Sequence, residues 1–125
     1  MQSNYRNFGD FISQKRIERK ITVRKMAEIL GISPAFLTDV EKDRRNPFEK
    51  DKLAKLIEIF QLSKDEEHEM YNLVGDKRQE VAPDVQDYIM ENPRELNAML
   101  RTARDLDADE ADWQRFIDEL KSRRG

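Results

Sequence analysis

The stretch TVRKMAEILGISPAFLTDVEKDRRNP, from Thr22 to Pro47, decides the fold because it encodes two short amphipathic helices joined by a glycine. Thr22 is a favoured N-cap residue, and the apolar side chains after it recur at helical spacing. Gly31 ends the first helix, since glycine adopts the left-handed conformation common at helix C-termini without steric cost. Ser33 and Pro34 then begin the second helix as its cap and first-turn residue. The pattern is typical of a helix-turn-helix.

This stretch resembles the Cro and lambda repressor-like family, also called Xre-type regulators. The family pattern has a small residue in the first motif helix, glycine at the turn, an apolar residue after it, and aliphatic residues in the second helix. The chain has all of them, as Ala27, Gly31, Ile32, Leu37 and Val40. The resemblance implies an all-α, five-helix DNA-binding domain with its motif at about residues 23–42.

Helical periodicity on both sides of the motif predicts the other helices of this domain. A first helix is expected from about Asn7 to Arg19, and the run KDKLAKLIEIF places its apolar residues three and four apart, as a fourth helix does. A fifth helix is expected from its cap, Ser63, to Gly75, with acidic side chains in the first turn where the helix dipole favours them. Residues 1–75 are therefore predicted to form the helix-turn-helix domain.

The remainder of the chain is predicted to be a linker followed by a second helical region. Residues 76–82 are polar and lie between Gly75 and Pro83, which is typical of a linker. Residues 83–125 contain three apolar stripes at helical spacing and so predict about three helices, which is little to support independent folding. This acidic region is expected to pack on itself, on the first domain or against a second copy, and it is the candidate element for dimerisation or partner binding.

The net charge of −3 is distributed unevenly along the chain. Residues 1–50 have 11 Lys and Arg against 7 Asp and Glu, a balance of +4, whereas residues 51–75 have 3 against 6 and residues 76–125 have 9 against 13. A phosphate backbone responds to the field of the surface that faces it rather than to the sum over the chain. The basic part coincides with the motif, so the acidic half is expected to face away from DNA.

Composition argues against several other classes of function. The sequence has no cysteine, which excludes disulfides and thiolate metal sites and fits a reducing cytoplasm. No apolar run approaches the ~18 residues that span a bilayer, so no membrane association is predicted. With His68 as its one histidine, the chain offers no nucleophile, base and orienting acid, so we expect no enzymatic activity, no metal and no cofactor.

The resemblance also implies how the motif meets DNA. In the family, the second motif helix enters the major groove with its N-terminal end toward the base edges, while the first crosses the phosphate backbone. Asp39 is able to accept from a cytosine amino group, or instead to pair with Arg24, Lys42 or Arg45. The base-facing candidates are Ser33, Pro34, Ala35, Thr38 and Asp39.

Two departures from the family pattern move the expected phosphate contacts to other residues. Many members have glutamine at the start of the first motif helix, where it holds a phosphate, and this chain has Val23. Many also have long donors on the recognition face, where this chain has Pro34, Ala35 and Asp39. Phosphate binding is therefore expected from backbone amides at helix starts and from Arg24, Lys25, Lys42, Arg44, Arg45 and Asn46.

Arg16 and Glu41 lie at positions where family members commonly form a partly buried ion pair between the first and third helices. The resemblance implies the same structural pair here, near the DNA-facing surface. The alternative is that both residues are ordinary surface charges.

These features predict a sequence-specific transcriptional regulator, a repressor that binds a palindromic operator in double-stranded DNA as a homodimer. Dimerisation is expected because one small helix-turn-helix buries too little surface for tight specific binding. The alternative is an antitoxin-like or adaptor protein whose residues 83–125 bind a partner protein, with autoregulatory DNA binding. Either protein is expected in the cytoplasm, associated with the nucleoid, in a bacterial, phage or mobile-element setting.

Overall fold

The computed structural model describes residues 3–125, and every regular element in that range is an α-helix, which confirms the all-α fold class. None of these helices is both long and apolar enough to cross a membrane. The chain divides into two compact units, Met1–Gln86 and Asp87–Gly125. The helices are α1 Phe8–Glu18, α2 Val23–Leu30, α3 Pro34–Glu41, α4 Lys50–Phe60, α5 Lys64–Arg78, α6 Pro83–Glu91, α7 Pro93–Asp105 and α8 Glu110–Arg124.

The first unit is built around one apolar core that receives side chains from each of α1 to α5. Burial of this apolar surface is the main favourable contribution to the stability of the unit. The partly buried Val23 and Ile32 pack against the core from the start of α2 and from the turn after it. The buried members are Phe8, Phe11, Ile12, Met26, Ala27, Leu30, Leu37, Val40, Phe48, Leu53, Leu56, Phe60, Met70, Leu73 and Val74.

The turn between α2 and α3 has the geometry that its sequence predicts. The Thr22 hydroxyl accepts a hydrogen bond from the Lys25 amide at 3.0 Å, and the Ser33 hydroxyl accepts one from the Phe36 amide at 3.0 Å. Gly31 is left-handed, with φ 71° and ψ 33°, so the chain reverses there at no steric cost. Both predicted caps and the predicted glycine turn are confirmed.

The fifth helix is longer than predicted, because Gly75 lies inside it. α5 continues to Arg78, and Gln79 ends it in the left-handed region with φ 56°. A Cβ atom on Gly75 would lie 2.7 Å from the Glu80 carbonyl oxygen, so glycine is required for the close approach of the returning chain. The predicted linker at residues 76–82 therefore starts too early, and the non-helical segment is only residues 79–82.

The second unit contains three helical segments, as predicted, but its apolar side chains stay accessible. Asp109 caps α8 by accepting from the Asp112 amide at 3.1 Å, and the Asp112 carboxylate accepts from the Asp109 amide at 3.0 Å. Asn92 lies at the N-cap position of α7 but makes no side-chain capping hydrogen bond. Neither α7 nor α8, both fully within the described range, has a buried residue, and Trp113 is 41% exposed. This unit lacks a closed core of its own.

A buried lysine joins α1 to α5 in the first unit. The Lys15 side chain is only 7% exposed, forms an ion pair with the Glu66 carboxylate, and has its Nζ 5.7 Å from the centroids of the Tyr5 and Phe11 rings. Burial lowers the pKa of Lys15, but hydrogen bonding to Glu66 and Tyr5 outweighs burial, so the pKa is raised. The hydrogen bond from Lys15, aided by the Ser63 amide, lowers the pKa of Glu66 to about 2.

We predict that Glu66 makes the free energy of unfolding of the first unit depend on pH in the acidic range. Because its folded pKa is below the ordinary value of 4.5, its ionised form stabilises the fold above pH 4.5, and this contribution is lost as the pH falls toward 2. Glu66→Gln should lower the free energy of unfolding by about 1–2 kcal/mol at pH 6, allowing for solvent screening at this partly exposed side chain. Urea unfolding of both proteins at pH 6 and pH 3 measures the difference.

The difference between wild type and Glu66→Gln should shrink at pH 3, because the Glu66 carboxylate of the unfolded chain is mostly protonated there, whereas the folded one, with its pKa of about 2, is still mostly ionised. Glu67→Gln is the matched control, since it removes a carboxylate from the same helical turn but leaves the partner of Lys15 in place. A difference that is the same at both pH values would contradict the assigned role of Glu66.

Candidate nucleic-acid interface

The helix α3 turns one side to the core and leaves its N-terminal end accessible. Leu37 and Val40 are buried, whereas the residues between and before them face outward because a helix repeats every 3.6 residues. Ser33, Pro34 and Ala35 are exposed, and Thr38 and Asp39 are partly exposed. All five predicted base-facing residues therefore lie on one accessible part of α3 and its cap, and their contact with bases stays a prediction.

The predicted phosphate-facing residues are also exposed, and they fall into two groups. Arg24 and Lys25 lie in the first turn of α2, and Lys42, Arg44, Arg45 and Asn46 lie in the segment between α3 and α4. We call residues 42–49 the basic loop. Val23, at the position where many family members have a phosphate-binding glutamine, instead packs against the core. The basic loop consequently supplies most of the positive charge beside α3.

The basic loop folds back onto the end of α3. The Arg44 amide donates to the Asp39 carbonyl oxygen at 2.8 Å, and the Asp39 carboxylate lies 3.7 Å from Arg44 Nη1 and 3.5 Å from Arg45 Nε. The Arg45 guanidinium lies 4.6 Å from the centroid of the Phe36 ring, and Phe36 stacks on Phe48 with their centroids 6.4 Å apart. Asp39 thus pairs with Arg45, one of its predicted alternatives, and with Arg44, which was not predicted as a partner.

The last turn of α5 holds the basic loop near both of its ends. Lys77 Nζ lies 3.0 Å from the Asp43 carboxylate, where the chain is left-handed with φ 62°. Arg78 Nη2 donates to the carbonyl oxygens of Pro47 at 3.2 Å and Phe48 at 3.1 Å. Sequence reasoning missed both residues because it assigned them to the linker, and no local pattern marks a side chain that binds a distant loop.

An open cleft of about 760 Å³ lies beside the basic loop. Its polar lining has more positive than negative side chains, so it extends the basic surface toward α4 and α5. Lys52, which the sequence did not single out, belongs to this lining. The charged and amide side chains around the cleft are Arg44, Arg45, Asn46, Glu49, Asp51, Lys52 and Lys77.

The predicted ion pair between Arg16 and Glu41 is present and ties α1 to the end of α3. Arg16 Nε and Nη2 donate to the two Glu41 oxygens at 2.8 and 2.9 Å, and Nη1 donates to the Ile21 carbonyl oxygen at 2.9 Å. The hydrogen bonds to Glu41 raise the pKa of Arg16. The helices meet closely at Gly9, where a Cβ atom would lie 2.4 Å from the Val40 carbonyl oxygen. The orientation of α3 is therefore determined by tight contact with α1.

We predict that Glu41→Ala lowers the free energy of unfolding by about 3 kcal/mol, because it leaves a poorly solvated guanidinium without its partner. The two side chains are only 13% and 8% exposed, so water cannot replace the lost carboxylate fully. Urea unfolding followed by circular dichroism measures the loss. The double variant Arg16→Met, Glu41→Leu should lose less, since it removes both charges together, and an unchanged midpoint for Glu41→Ala would contradict this account of the pair.

Comparison with known proteins adds a match to a family model over part of the chain. A family model described as helix-turn-helix matches residues 12–66, which include α2, α3 and the basic loop. A solved complex of the SinR protein and the SinI protein is similar over 93% of this chain and 96% of that chain, with 19% sequence identity and a TM-score of 0.45. A likeness at this level transfers no function from one protein to the other. No curated protein matches the chain.

Proposed function

Residues 12–66 belong to the helix-turn-helix family of Cro and lambda repressor-like, or Xre-type, regulators, and from this premise we propose that the protein is a sequence-specific transcriptional repressor. The observation that supports this function is the junction between the accessible face of α3 and the basic loop. Asp39 on α3 contacts Arg44 and Arg45 of the loop, so candidate base-reading and phosphate-binding groups adjoin each other. Such a surface suits a major groove bordered by its phosphates.

In this proposal the start of α3 enters the major groove and reads base edges through short side chains. The Ser33 and Thr38 hydroxyl groups donate or accept hydrogen bonds, and the Ala35 methyl packs against a thymine methyl. The basic loop binds the flanking phosphates. Because Lys77 and Arg78 already hold the loop in position, less conformational entropy is lost when DNA binds.

We predict that the double variant Arg44→Ala, Arg45→Ala binds all DNA sequences about tenfold or more weakly at 0.1 M salt, because phosphate contacts act without regard to sequence. The plot of log affinity against log salt concentration should also become shallower by about one to two units. Fluorescence anisotropy with a labelled duplex, titrated at several salt concentrations, measures both effects.

Thr38→Ala is the matched comparison, since it removes a base-facing group from the same surface without changing charge. It should alter the preference at one base position and leave the salt dependence unchanged. If the wild-type protein binds no duplex at all, the proposed function is refuted. If the double arginine variant binds DNA as tightly as the wild type does, only the phosphate-binding role of Arg44 and Arg45 is refuted.

We further propose that the protein acts as a homodimer whose second copy covers the exposed apolar face of α8. Trp113, Phe116, Ile117 and Leu120 recur three and four residues apart on this helix and are 36–49% exposed. An exposed stripe of this kind is typical of an interaction surface. A second copy would bury the stripe against the same stripe, as two-fold symmetry requires.

The charges of α8 favour an antiparallel over a parallel arrangement of the two copies. The acidic residues Glu110 and Asp112 lie in the first turn, and the basic residues Lys121, Arg123 and Arg124 lie in the last turn. In an antiparallel pair the acidic start of each helix faces the basic end of the other, so the charges are complementary at both ends. A parallel pair would place like charges together.

We predict that Trp113→Ala, Phe116→Ala raises the dissociation constant of the dimer about 100-fold, because buried aromatic side chains contribute most to such interfaces. Sedimentation equilibrium measures the constant, and binding to an operator should weaken with it. Gln114→Ala, a change beside Trp113 that removes no apolar surface, is the control. A monomeric wild type, or an unchanged constant in the double variant, would contradict the proposed dimer.

The antitoxin-like or adaptor alternative uses the same exposed face of α8. In this alternative a basic partner protein, rather than a second copy of the chain, covers the apolar face of α8. A wild-type chain that is monomeric alone and forms a stable complex with a small basic protein would favour this alternative.

A further inference from the structure

Asp39 places a negative charge on the surface that we assign to DNA, between the two arginines that we assign to phosphates. Its carboxylate oxygens lie 3.7 Å from Arg44 Nη1 and 3.5 Å from Arg45 Nε. The Asp39 side chain is 34% exposed, and those of Arg44 and Arg45 are 64% and 51% exposed. All three groups are therefore accessible to solvent and to an approaching ligand.

The geometry of these pairs is electrostatic and leaves the guanidinium groups able to bind another anion. At 3.5 and 3.7 Å the contacts exceed the usual length of a charge-assisted hydrogen bond, which is about 2.7–2.9 Å. Exposed pairs of this kind are weak individually, so a phosphate with better geometry is able to replace the carboxylate. Asp39 stays near the arginines in any case, because it is fixed on α3 and its carbonyl oxygen binds the Arg44 amide.

We propose that Asp39 is an internal counter-charge that limits the affinity of the basic loop for polyanions of any sequence. A bound phosphate displaces the carboxylate from Arg44 and Arg45 and then remains near its negative charge. Both effects lower sequence-independent affinity, while the other base-facing groups of α3 keep their contacts. The inference rests on the proposed function in that its natural polyanion is DNA, and it makes Asp39 a determinant of the ratio between specific and non-specific binding.

The test compares Asp39→Asn with Glu58→Gln in the chain of 125 residues. Glu58 is exposed on α4, so its replacement removes the same charge away from the arginines. Asp39→Asn should bind a random-sequence duplex about threefold or more tightly than wild type at 50 mM salt, and Glu58→Gln should gain less. The gain should shrink at 0.5 M salt, where screening weakens interactions between exposed charges.

Two further measurements separate this inference from the proposed function. Heparin is a polyanion without bases, and Asp39→Asn should elute from a heparin column at higher salt than Glu58→Gln. In the background Arg44→Ala, Arg45→Ala the Asp39→Asn substitution should lose most of its effect on both ligands, as coupling between adjacent groups requires.

Each possible outcome either supports or overturns the role of Asp39 as a counter-charge. Unchanged or weaker binding of Asp39→Asn to heparin would overturn the inference, even if the wild type proves to be a DNA-binding regulator. A change in preference at one base position without tighter non-specific binding would also overturn it, because Asp39 would then read a base. A heparin shift in a protein that binds no duplex would support the counter-charge and refute the proposed function.

Discussion

The bidentate ion pair between Arg16 and Glu41 is the contact on which the proposed DNA-facing surface depends. Glu41 is the last residue of α3, so the pair fixes the end of this helix to α1 at the point where the basic loop begins. At Gly9 the backbones of the two helices are so close that a Cβ atom would clash with the carbonyl oxygens of Val40 and Glu41. The exposed side of α3 and the path of the loop both follow from this constraint.

The basic loop has a second attachment, to the last turn of α5. Lys77 holds Asp43 near the start of the loop, and Arg78 holds the carbonyl groups of Pro47 and Phe48 near its end. These contacts add to those that Asp39 makes with Arg44 and Arg45 at the end of α3. Attachment to α3 and α5 keeps the arginines beside α3, where a phosphate backbone would pass if α3 entered the major groove.

Local signals in the sequence predicted the motif well, and non-local contacts caused the misses. The caps Thr22 and Ser33 and the turn at Gly31 depend on residues three or four apart, so a linear pattern contains them. Gly75 was predicted to end a helix, but it lies inside α5. Glycine is required there because the Glu80 carbonyl oxygen, outside the helix, approaches it closely, and a local pattern does not show this contact. Lys77 and Arg78 were missed for a similar reason, since their partners lie about 30 residues away along the chain. The apolar stripe of α8 was predicted, but its exposure was not, because a helical pattern does not show whether another element of the chain buries it.

Selection of bound duplexes from random-sequence DNA by the chain of 125 residues tests the central claim most directly. If α3 reads the major groove and two copies act together, the enriched sequences should form a palindrome with half-sites about one helical turn, roughly 10 base pairs, apart. The enriched positions should fall where two copies of α3 reach the groove. Binding without enrichment of any sequence would contradict the claim that this protein is a sequence-specific regulator.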